Sequence, residues 1–158
     1  GLSYDTFFHR DIFALSGGQK KRAAIAGVLA CKPKVLILDD VTAGLDPRGR
    51  KAIIEVIQKL HCEQNMTIIY ISCSMEDISF LADRIIVMNE GSIIMDDSPE
   101  VIFSRTSELR SIGLELPEIN IILDDLRNAG YPLPPGITDV EQALQAIAAI
   151  INKDGGKA

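Results

Sequence analysis

Two runs of consecutive apolar residues indicate that the first part of the chain forms a buried α/β unit. One run covers residues 35–38 and ends at two aspartates, and the other covers residues 67–71. Continuous apolar runs are typical of strands that are buried on both faces, as in parallel sheets. Between the runs, residues 47–62 repeat isoleucine and leucine at helical spacing. The order strand, helix, strand predicts a βαβ unit with a right-handed crossover.

An alanine-rich segment precedes the first of these strands. Residues 18–31 predict a helix because three apolar side chains stand at positions i, i+3 and i+4, and we expect them to form one buried stripe. These side chains are Ile25, Val28 and Leu29. The basic cluster at residues 20–22 is interpreted as a solvated face of this helix. Residues 1–14 show no comparable periodicity and are expected to be irregular.

Shorter elements follow the second apolar run. Residues 75–82 predict a short helix, and residues 85–88 predict a third strand. A turn at residues 89–91 connects this strand to residues 92–95, which predicts a β-hairpin.

The last third of the chain has a helical pattern. Ser98 and Pro99 form a helix start, and residues 117–130 predict a further helix. Thr138 and Glu141 have the spacing of a capping box. They stand at the start of a segment in which four apolar residues repeat at intervals of four, three and four. This spacing predicts an amphipathic helix. These residues are Val140, Leu144, Ile147 and Ile151.

Composition limits the class of protein. The chain has 158 residues, 47% of them hydrophobic, which suits one domain, or a compact domain plus a small appendage. Its formal net charge of -6 disfavours nonspecific binding to nucleic acid or anionic lipid. No apolar run approaches the roughly 20 residues of a membrane span, and no signal-peptide pattern opens the chain. The three cysteines form no CxxC pair, which indicates reduced thiols rather than a disulfide framework.

Residues 15–19, Leu-Ser-Gly-Gly-Gln, come directly before the alanine-rich helix. The first amides of a helix have no intrahelical partner, the helix dipole adds positive potential, and glycine lets the backbone approach a phosphate closely. Ser16, Gly17 and Gly18 are therefore candidates for binding an anion. An ordinary helix cap followed by flexible glycines has the same pattern, so the residues alone leave both interpretations open.

Three aspartates follow the first strand. Asp39 and Asp40 lie at its C-terminal end, where ligands bind in open parallel sheets. Adjacent carboxylates there are costly unless a cation or a polar ligand meets them, and neighbouring strand residues point to opposite sides, so the two cannot share one role. Asp46 precedes the next helix. For all three, a role as a helix or loop cap is also an open interpretation.

The order and spacing of three motifs carry a family resemblance. LSGGQKKR at residues 15–22, LILDD at residues 36–40 and TAGLD at residues 42–46 together resemble the ABC ATPase family. The helical extension resembles that of energy-coupling factor transporter ATPases of the cobalt and vitamin type. The implied fold is α/β, the C-terminal half of an ABC nucleotide-binding domain. It would be an incomplete P-loop NTPase-type parallel sheet over residues 1–97, with a helical appendage that mediates dimerisation over residues 98–152 and a disordered tail over 153–158.

The resemblance also implies roles for the candidate residues. Three of them would contact the γ-phosphate of an ATP molecule held by the opposite subunit. These are Ser16, Gly17 and Gly18. Gln19 would support that loop, and Asp39 would hold Mg²⁺ through water. Asp46 would belong to the loop that communicates across the dimer.

Three positions depart from the family pattern. The residue after the strand aspartate is usually a glutamate that orients the attacking water, but here it is Asp40. Its side chain is one methylene shorter, and a misplacement of about 1 Å can cost ~100-fold in rate. The usual proline after it is Val41, and the usual switch histidine after the second strand is Cys73, whose neutral thiol is a weak donor. The resemblance therefore implies impaired hydrolysis at the chain's own site.

The chain contains no GxxxxGK[ST] phosphate loop. In the implied fold this loop would lie upstream of residue 1, and its strand would pair between those at 67–71 and 85–88. Without it, those strands have unpaired edges, and the chain alone is predicted to be inactive and to bind ATP weakly. We therefore expect an N-terminal half carrying the phosphate loop as a partner.

The resemblance favours an ATP-binding subunit of an importer for a small nutrient such as a vitamin or a metal cation. Such a subunit would pair with a homologous ATPase and dock on a membrane coupling protein, at the cytoplasmic face of the cell membrane. Two alternatives stay open. One is a non-catalytic module that dimerises through residues 98–152 and senses nucleotide, and the other is an ABC ATPase outside transport.

Overall fold

The computed structural model describes residues 4–154. Contacts divide the chain between Ser72 and Cys73 into two compact units. Of the tail predicted over residues 153–158, residues 153 and 154 belong to a helix that ends at Asp154, and residues 155–158 lie outside the described part.

The first unit contains the predicted βαβ arrangement. Its elements in chain order are α1 (Tyr4–Phe7), a 3₁₀ turn (Ile12–Ala14), α2 (Gly17–Leu29), β1 (Val35–Asp39), α3 (Pro47–Gln64) and β2 (Thr67–Ile71). β1 and β2 pair in parallel, with Ile37 opposite Ile69. The prediction of an irregular start is wrong in part, because two helical turns too short to show periodicity lie within it.

The sheet of the first unit has one buried and one exposed face. Leu36 and Leu38 on β1 are buried, as are Ile53 and Ile57 on α3. The opposite face carries four exposed apolar side chains, which we call the open sheet face. These are Val35, Ile37, Ile69 and Ile71. Predicted burial on both faces is therefore wrong for the described chain, because no described element of this unit covers the open sheet face.

Helix α2 buries less than the pattern predicts. Ile25 is buried, but Val28 is 50% exposed. The helix is rich in alanine and glycine, so few of its side chains are large enough to require burial. The predicted stripe is therefore wrong at Val28.

The second unit combines a hairpin with five helices in the part of the chain that is described. Its elements are α4 (Met75–Leu81), β3 (Ile85–Asn89), β4 (Ser92–Asp97), α5 (Pro99–Ser104), α6 (Thr106–Ser111), α7 (Glu118–Asn128) and α8 (Val140–Asp154). β3 and β4 pair antiparallel, which confirms the predicted hairpin. Helix α6 was not predicted, because a six-residue helix is too short to show a periodic pattern.

Two apolar clusters hold the second unit together. The first joins the hairpin to α4, α5 and α6 around Phe103 and Leu109, and the second joins α7 to α8 around Leu123. The hairpin therefore packs with the helices that follow it. The boundary predicted near residue 97 separates the part that resembles ABC ATPases from the helical extension. It is defined by that resemblance and not by packing, and it stays a prediction.

An ion pair joins the residue before β3 to β4. Arg84 donates two hydrogen bonds to Asp96, at 2.7 and 2.6 Å. These bonds, together with the positive charge, hold the pKa of the Asp96 carboxyl below its usual value. The pair is exposed, so its contribution to stability is small.

Helix α8 differs from its prediction at its start and in its buried face. The backbone N–H of Gln142 donates to the Asp139 carboxylate at 2.8 Å, so aspartate rather than Thr138 caps the helix. Ala143 is buried against α7, whereas Leu144 is 66% exposed. The buried face is thus rotated toward the small alanines, which let α8 approach α7 closely. In the described residues, no helix is both long and apolar enough to cross a membrane.

Candidate nucleotide-binding surface

The start of α2 is a closed capping box. The Ser16 hydroxyl accepts from the Gln19 backbone N–H at 3.3 Å, and the Gln19 side chain accepts from the Ser16 N–H at 2.9 Å. These reciprocal bonds fix the turn that leads into the helix. Gln19 therefore supports the loop mechanically, which is the role that the resemblance implies for it.

The two glycines after this cap are free to face a ligand. Their N–H groups belong to the first helical turn and have no intrahelical acceptor. Both Ser16 and Gly17 are exposed, and a Cβ atom placed on Gly17 would meet no atom within 4 Å. Open amides at the positive end of a 13-residue helix form a surface that can accept a phosphate group. The cap and the anion-binding interpretations are thus compatible.

The aspartate pair lies at the C-terminal end of β1. Asp39 is the last residue of the strand, opposite Ile71 on β2, and its side chain is exposed. Asp40 has a left-handed backbone with φ of 48°. Its N–H donates to the Ile71 carbonyl at 2.9 Å, and its carbonyl accepts from the Ala43 N–H at 3.2 Å. The backbone of Asp40 is therefore anchored while its carboxylate stays accessible to solvent.

Asp46 caps α3. Its carboxylate accepts from the Gly49 N–H at 2.6 Å, and Pro47 occupies the first turn. A Cβ atom placed on Gly49 would lie 2.9 Å from that carboxylate oxygen, so this position favours glycine. The capping interpretation of Asp46 is confirmed, and its exposed side chain retains a second oxygen for other partners.

The loop between Asp39 and Asp46 lies against α2. Gly18 lies next to Leu45, because a Cβ atom on Gly18 would stand 3.4 Å from the Leu45 side chain. The Lys21 ammonium donates to the Ala43 carbonyl at 2.6 Å. The structure thus places α2, which starts with the glycines, against the loop that joins Asp39 to Asp46. Cys73 is exposed and belongs to the second unit.

Lys21 is a residue of this surface that the sequence pattern did not identify. It was interpreted as part of a solvated basic face, yet its side chain is half-buried and bonded to the loop, whereas Lys20 is exposed. Its place in the first turns of the helix, next to the glycines, is the signal that could have identified it. The basic-face interpretation is therefore wrong for Lys21.

The acidic residues suit a magnesium ion that arrives with its own ligands. The described residues contain no group of three or more histidine, cysteine or acidic side chains that would hold a metal alone. Mg²⁺ usually keeps several waters and binds through one or two carboxylates plus substrate phosphates. An exposed Asp39 at a strand end fits this incomplete type of site.

Comparison with known proteins gives concordant matches. The ABC transporter family model matches residues 2–43. The energy-coupling factor transporter ATP-binding protein EcfA2 of Clostridium perfringens is 47% identical over 154 residues, covering 98% of this chain and 54% of that protein. The protein of the same name from Clostridium tetani is 45% identical, covering 96% and 53%. The chain thus spans about half the length of the curated relatives it matches.

Solved structures agree with the sequence matches. CbiO1 of Clostridium perfringens, described as part of the ABC transporter complex cbiONQ, has a TM-score of 0.56 and 40% identity, covering 72% of this chain and 45% of that one. The ATP-binding cassette MJ0796, a dimer bound to ADP and Pi, has a TM-score of 0.54 and 29% identity, covering 60% and 40%. The predicted fold, a partial P-loop NTPase-type α/β domain, is confirmed, and the chain belongs to the family of ABC transporter ATPases.

Proposed function

We propose that this chain supplies one face of an ATP site in an importer of the energy-coupling factor type, which takes up a small nutrient such as a vitamin or a metal cation. The observation that carries the proposal is the pair of helix-start amides at Gly17 and Gly18, which have no intrahelical acceptor, on a helix that is bonded to the loop after Asp39. The chain's similarity to the curated ATP-binding relatives supports the same conclusion.

The glycine amides would act on a nucleotide bound mainly by a neighbouring ATPase subunit. Ser16, Gly17 and Gly18 would donate hydrogen bonds to its γ-phosphate oxygens, and the positive end of α2 would stabilise the negative charge there. The capping box of Gln19 keeps these donors in place without rearrangement. The dimeric state of the cassette that binds ADP and Pi supports such a shared site.

The chain's own half-site would be built around β1. When bound, Mg²⁺ would neutralise charge on the phosphates, with Asp39 holding it through water. Asp40 would accept a proton from the attacking water at its carboxylate. Because aspartate is shorter than glutamate, we propose that this half-site hydrolyses ATP slowly. The resemblance implies a further loss from Cys73, whose thiol is a weak donor at the position of the family's switch histidine.

The open sheet face supports an N-terminal half as the partner of the first unit. Its isoleucines and valine are between 47 and 62% exposed, although parallel sheets are normally covered on both faces. Burying each such side chain contributes about 1.5–3 kcal/mol. A half-domain that carries the phosphate loop would cover this face and supply the groups that bind the nucleotide's phosphates.

Co-expression with a phosphate-loop half from a curated relative tests the proposal. Together with a second ATPase subunit, the reconstituted assembly is expected to hydrolyse ATP, whereas the chain alone is not. Replacing Ile37 by lysine should weaken association with the added half by about 100-fold, because it places a charge on the face to be buried. Co-purification of the two halves measures this.

A matched control separates this effect from general damage. Val28 is 50% exposed on α2, so Val28→Lys adds the same charge to the same unit at a residue that is not part of the open sheet face. We expect Val28→Lys to leave association unchanged. Equal association of Ile37→Lys and wild type would show that the open sheet face is not where the other half binds.

A second candidate function is a non-catalytic module that senses nucleotide. Asp40 and Cys73 favour it, because both replace the side chains that the family uses for hydrolysis. In this case the helical extension would mediate dimerisation, and nucleotide binding would change the dimer without turnover. Restoring the usual side chains with Asp40→Glu and Cys73→His distinguishes the two functions, because only an impaired ATPase would gain turnover.

The remaining partners follow from the relatives. A membrane coupling protein would bind the ATPase pair at the cytoplasmic face of the membrane, since one structural neighbour is described as part of a transporter complex. Co-purification of the reconstituted assembly with such a protein would support this localisation.

A further inference from the structure

Lys21 connects α2 to the loop that carries the aspartates. Its ammonium lies 2.6 Å from the Ala43 carbonyl and 3.4 Å from the Asp40 carbonyl. A lysine ammonium has three donors on a flexible stem, so it can bond both carbonyls at once. Lys20, one position earlier, carries the same charge but is exposed to solvent.

The same loop is already bonded to β2 on its other side. The Asp40 N–H donates to the Ile71 carbonyl at 2.9 Å, and the hydroxyl groups of Thr42 and Tyr70 lie 2.9 Å apart. Two successive turns, closed by bonds from Ala43 to Asp40 and from Leu45 to Thr42, make the loop compact. These bonds hold the loop to the sheet from one side and do not involve α2.

Lys21 adds the polar connection between this loop and α2. The neighbouring packing of Leu45 against Gly18 is apolar and nondirectional, so it permits sliding. The charged hydrogen bonds of Lys21 are directional and set where the loop stands along the helix. The left-handed backbone of Asp40 is an unfavourable conformation for a residue with a side chain, and the bonds to its carbonyl help to hold it.

We propose that Lys21 is a positioning residue that locks the start of α2 to the loop of residues 40–46. This inference rests on the proposed function. Through Lys21, the amides that face a neighbour's nucleotide and the aspartates of the chain's own half-site move together. The Lys21 ammonium is engaged by the two loop carbonyls, so it acts on the rate through geometry rather than through nucleotide affinity.

The test compares Lys21→Met with Lys20→Met in the assembly of this chain, a phosphate-loop half and a second ATPase subunit. Methionine keeps the aliphatic stem and removes the ammonium. We expect Lys21→Met to lower kcat by about tenfold with KM within about twofold of wild type. Lys20→Met should match wild type, and Lys21→Arg, which keeps a charged donor, should recover most of the loss.

Amide hydrogen exchange provides a readout that a general structural defect would not reproduce. In Lys21→Met, the N–H groups of Ala43 and Leu45 are expected to exchange about tenfold faster, because their turns lose the restraint of the ammonium. The N–H groups of Gly49 and Arg50, at the start of α3, should keep their wild-type rates. Faster exchange throughout β1 and α3 would instead indicate a merely structural role and would overturn the proposal.

Failure of this inference is distinguishable from failure of the proposed function. If the wild-type assembly hydrolyses ATP and Lys21→Met behaves as Lys20→Met does, only the role of Lys21 is refuted. If the wild-type assembly shows no turnover, the proposed function is refuted. The exchange rates of Ala43 and Leu45, measured on the same preparations, then decide whether Lys21 holds the loop.

Discussion

Replacing Gly17 by aspartate should abolish ATP turnover at the site that the α2 amides serve, while leaving the helix intact. Gly17 has a helical backbone and open space around its Cα atom, so a larger side chain fits. A carboxylate in the first turn stabilises a helix by about 0.3–1 kcal/mol. Near a triphosphate, however, two like charges ~4 Å apart repel by about 4 kcal/mol at a protein surface, a factor of about 1000 in binding.

Gly17→Asn is the matched control for this change. Asparagine has nearly the same size and shape but no charge, so it should cost far less turnover than aspartate. Steady-state ATP hydrolysis of the reconstituted assembly, with thermal unfolding of each variant, measures both effects. Equal losses for the two variants would indicate a steric effect, and unchanged turnover in Gly17→Asp would show that no phosphate lies near these amides.

Restoring the family's usual side chains should raise turnover at the chain's own half-site. Asp40→Glu combined with Cys73→His is expected to increase the rate by about 100-fold, because the longer carboxylate recovers about 1 Å of reach toward the water. The backbone of Asp40 is held by bonds to Ile71 and Ala43, so the added methylene extends the side chain rather than moving the loop. Its left-handed φ is less favourable for glutamate than for aspartate and offsets part of the gain.

The measurement is ATP hydrolysis in an assembly whose other site has been inactivated. Asp39→Glu is the matched control, since it lengthens the neighbouring carboxylate by the same methylene and should bring no gain. A rate that stays at background in the double variant would contradict an impaired ATPase and favour the nucleotide-sensing module.

The strands and long helices could be predicted from the sequence because their patterns are local. β2 was predicted with its observed bounds, and the α3 and hairpin predictions were correct to within two residues. Short elements such as α6 could not be predicted, since six residues cannot show a helical period. Helix α8 was predicted, but its buried face was not. That face is set by packing against α7, and the apolar spacing within α8 does not report this packing.

The apolar runs of β1 and β2 predict more burial than the described structure shows. They predict burial on both faces, yet Ile37 and Ile69 are exposed. This difference between predicted and observed burial is explained if the strands are suited to a larger sheet whose second face is covered. A sequence pattern reports the environment in which the strand is stable, and this chain spans about half the length of its curated relatives.

The candidate site also contains residues that could be predicted from the sequence and contacts that could not. The glycines and aspartates could be identified because their order and spacing follow a family motif. The contact of Lys21 with Ala43 could not, because it joins residues 22 positions apart through a loop whose conformation is set by tertiary bonds. Asp40 likewise gave no sign of its left-handed backbone in the sequence.

The most direct test is a structure of the ATP-bound assembly of this chain, a phosphate-loop half and a second ATPase subunit. We predict that the backbone N–H groups of Gly17 and Gly18 lie about 3 Å from γ-phosphate oxygens of a nucleotide whose phosphate loop belongs to the neighbouring subunit. An α2 start that turns away from that nucleotide, or packs inside its own subunit, would contradict the account.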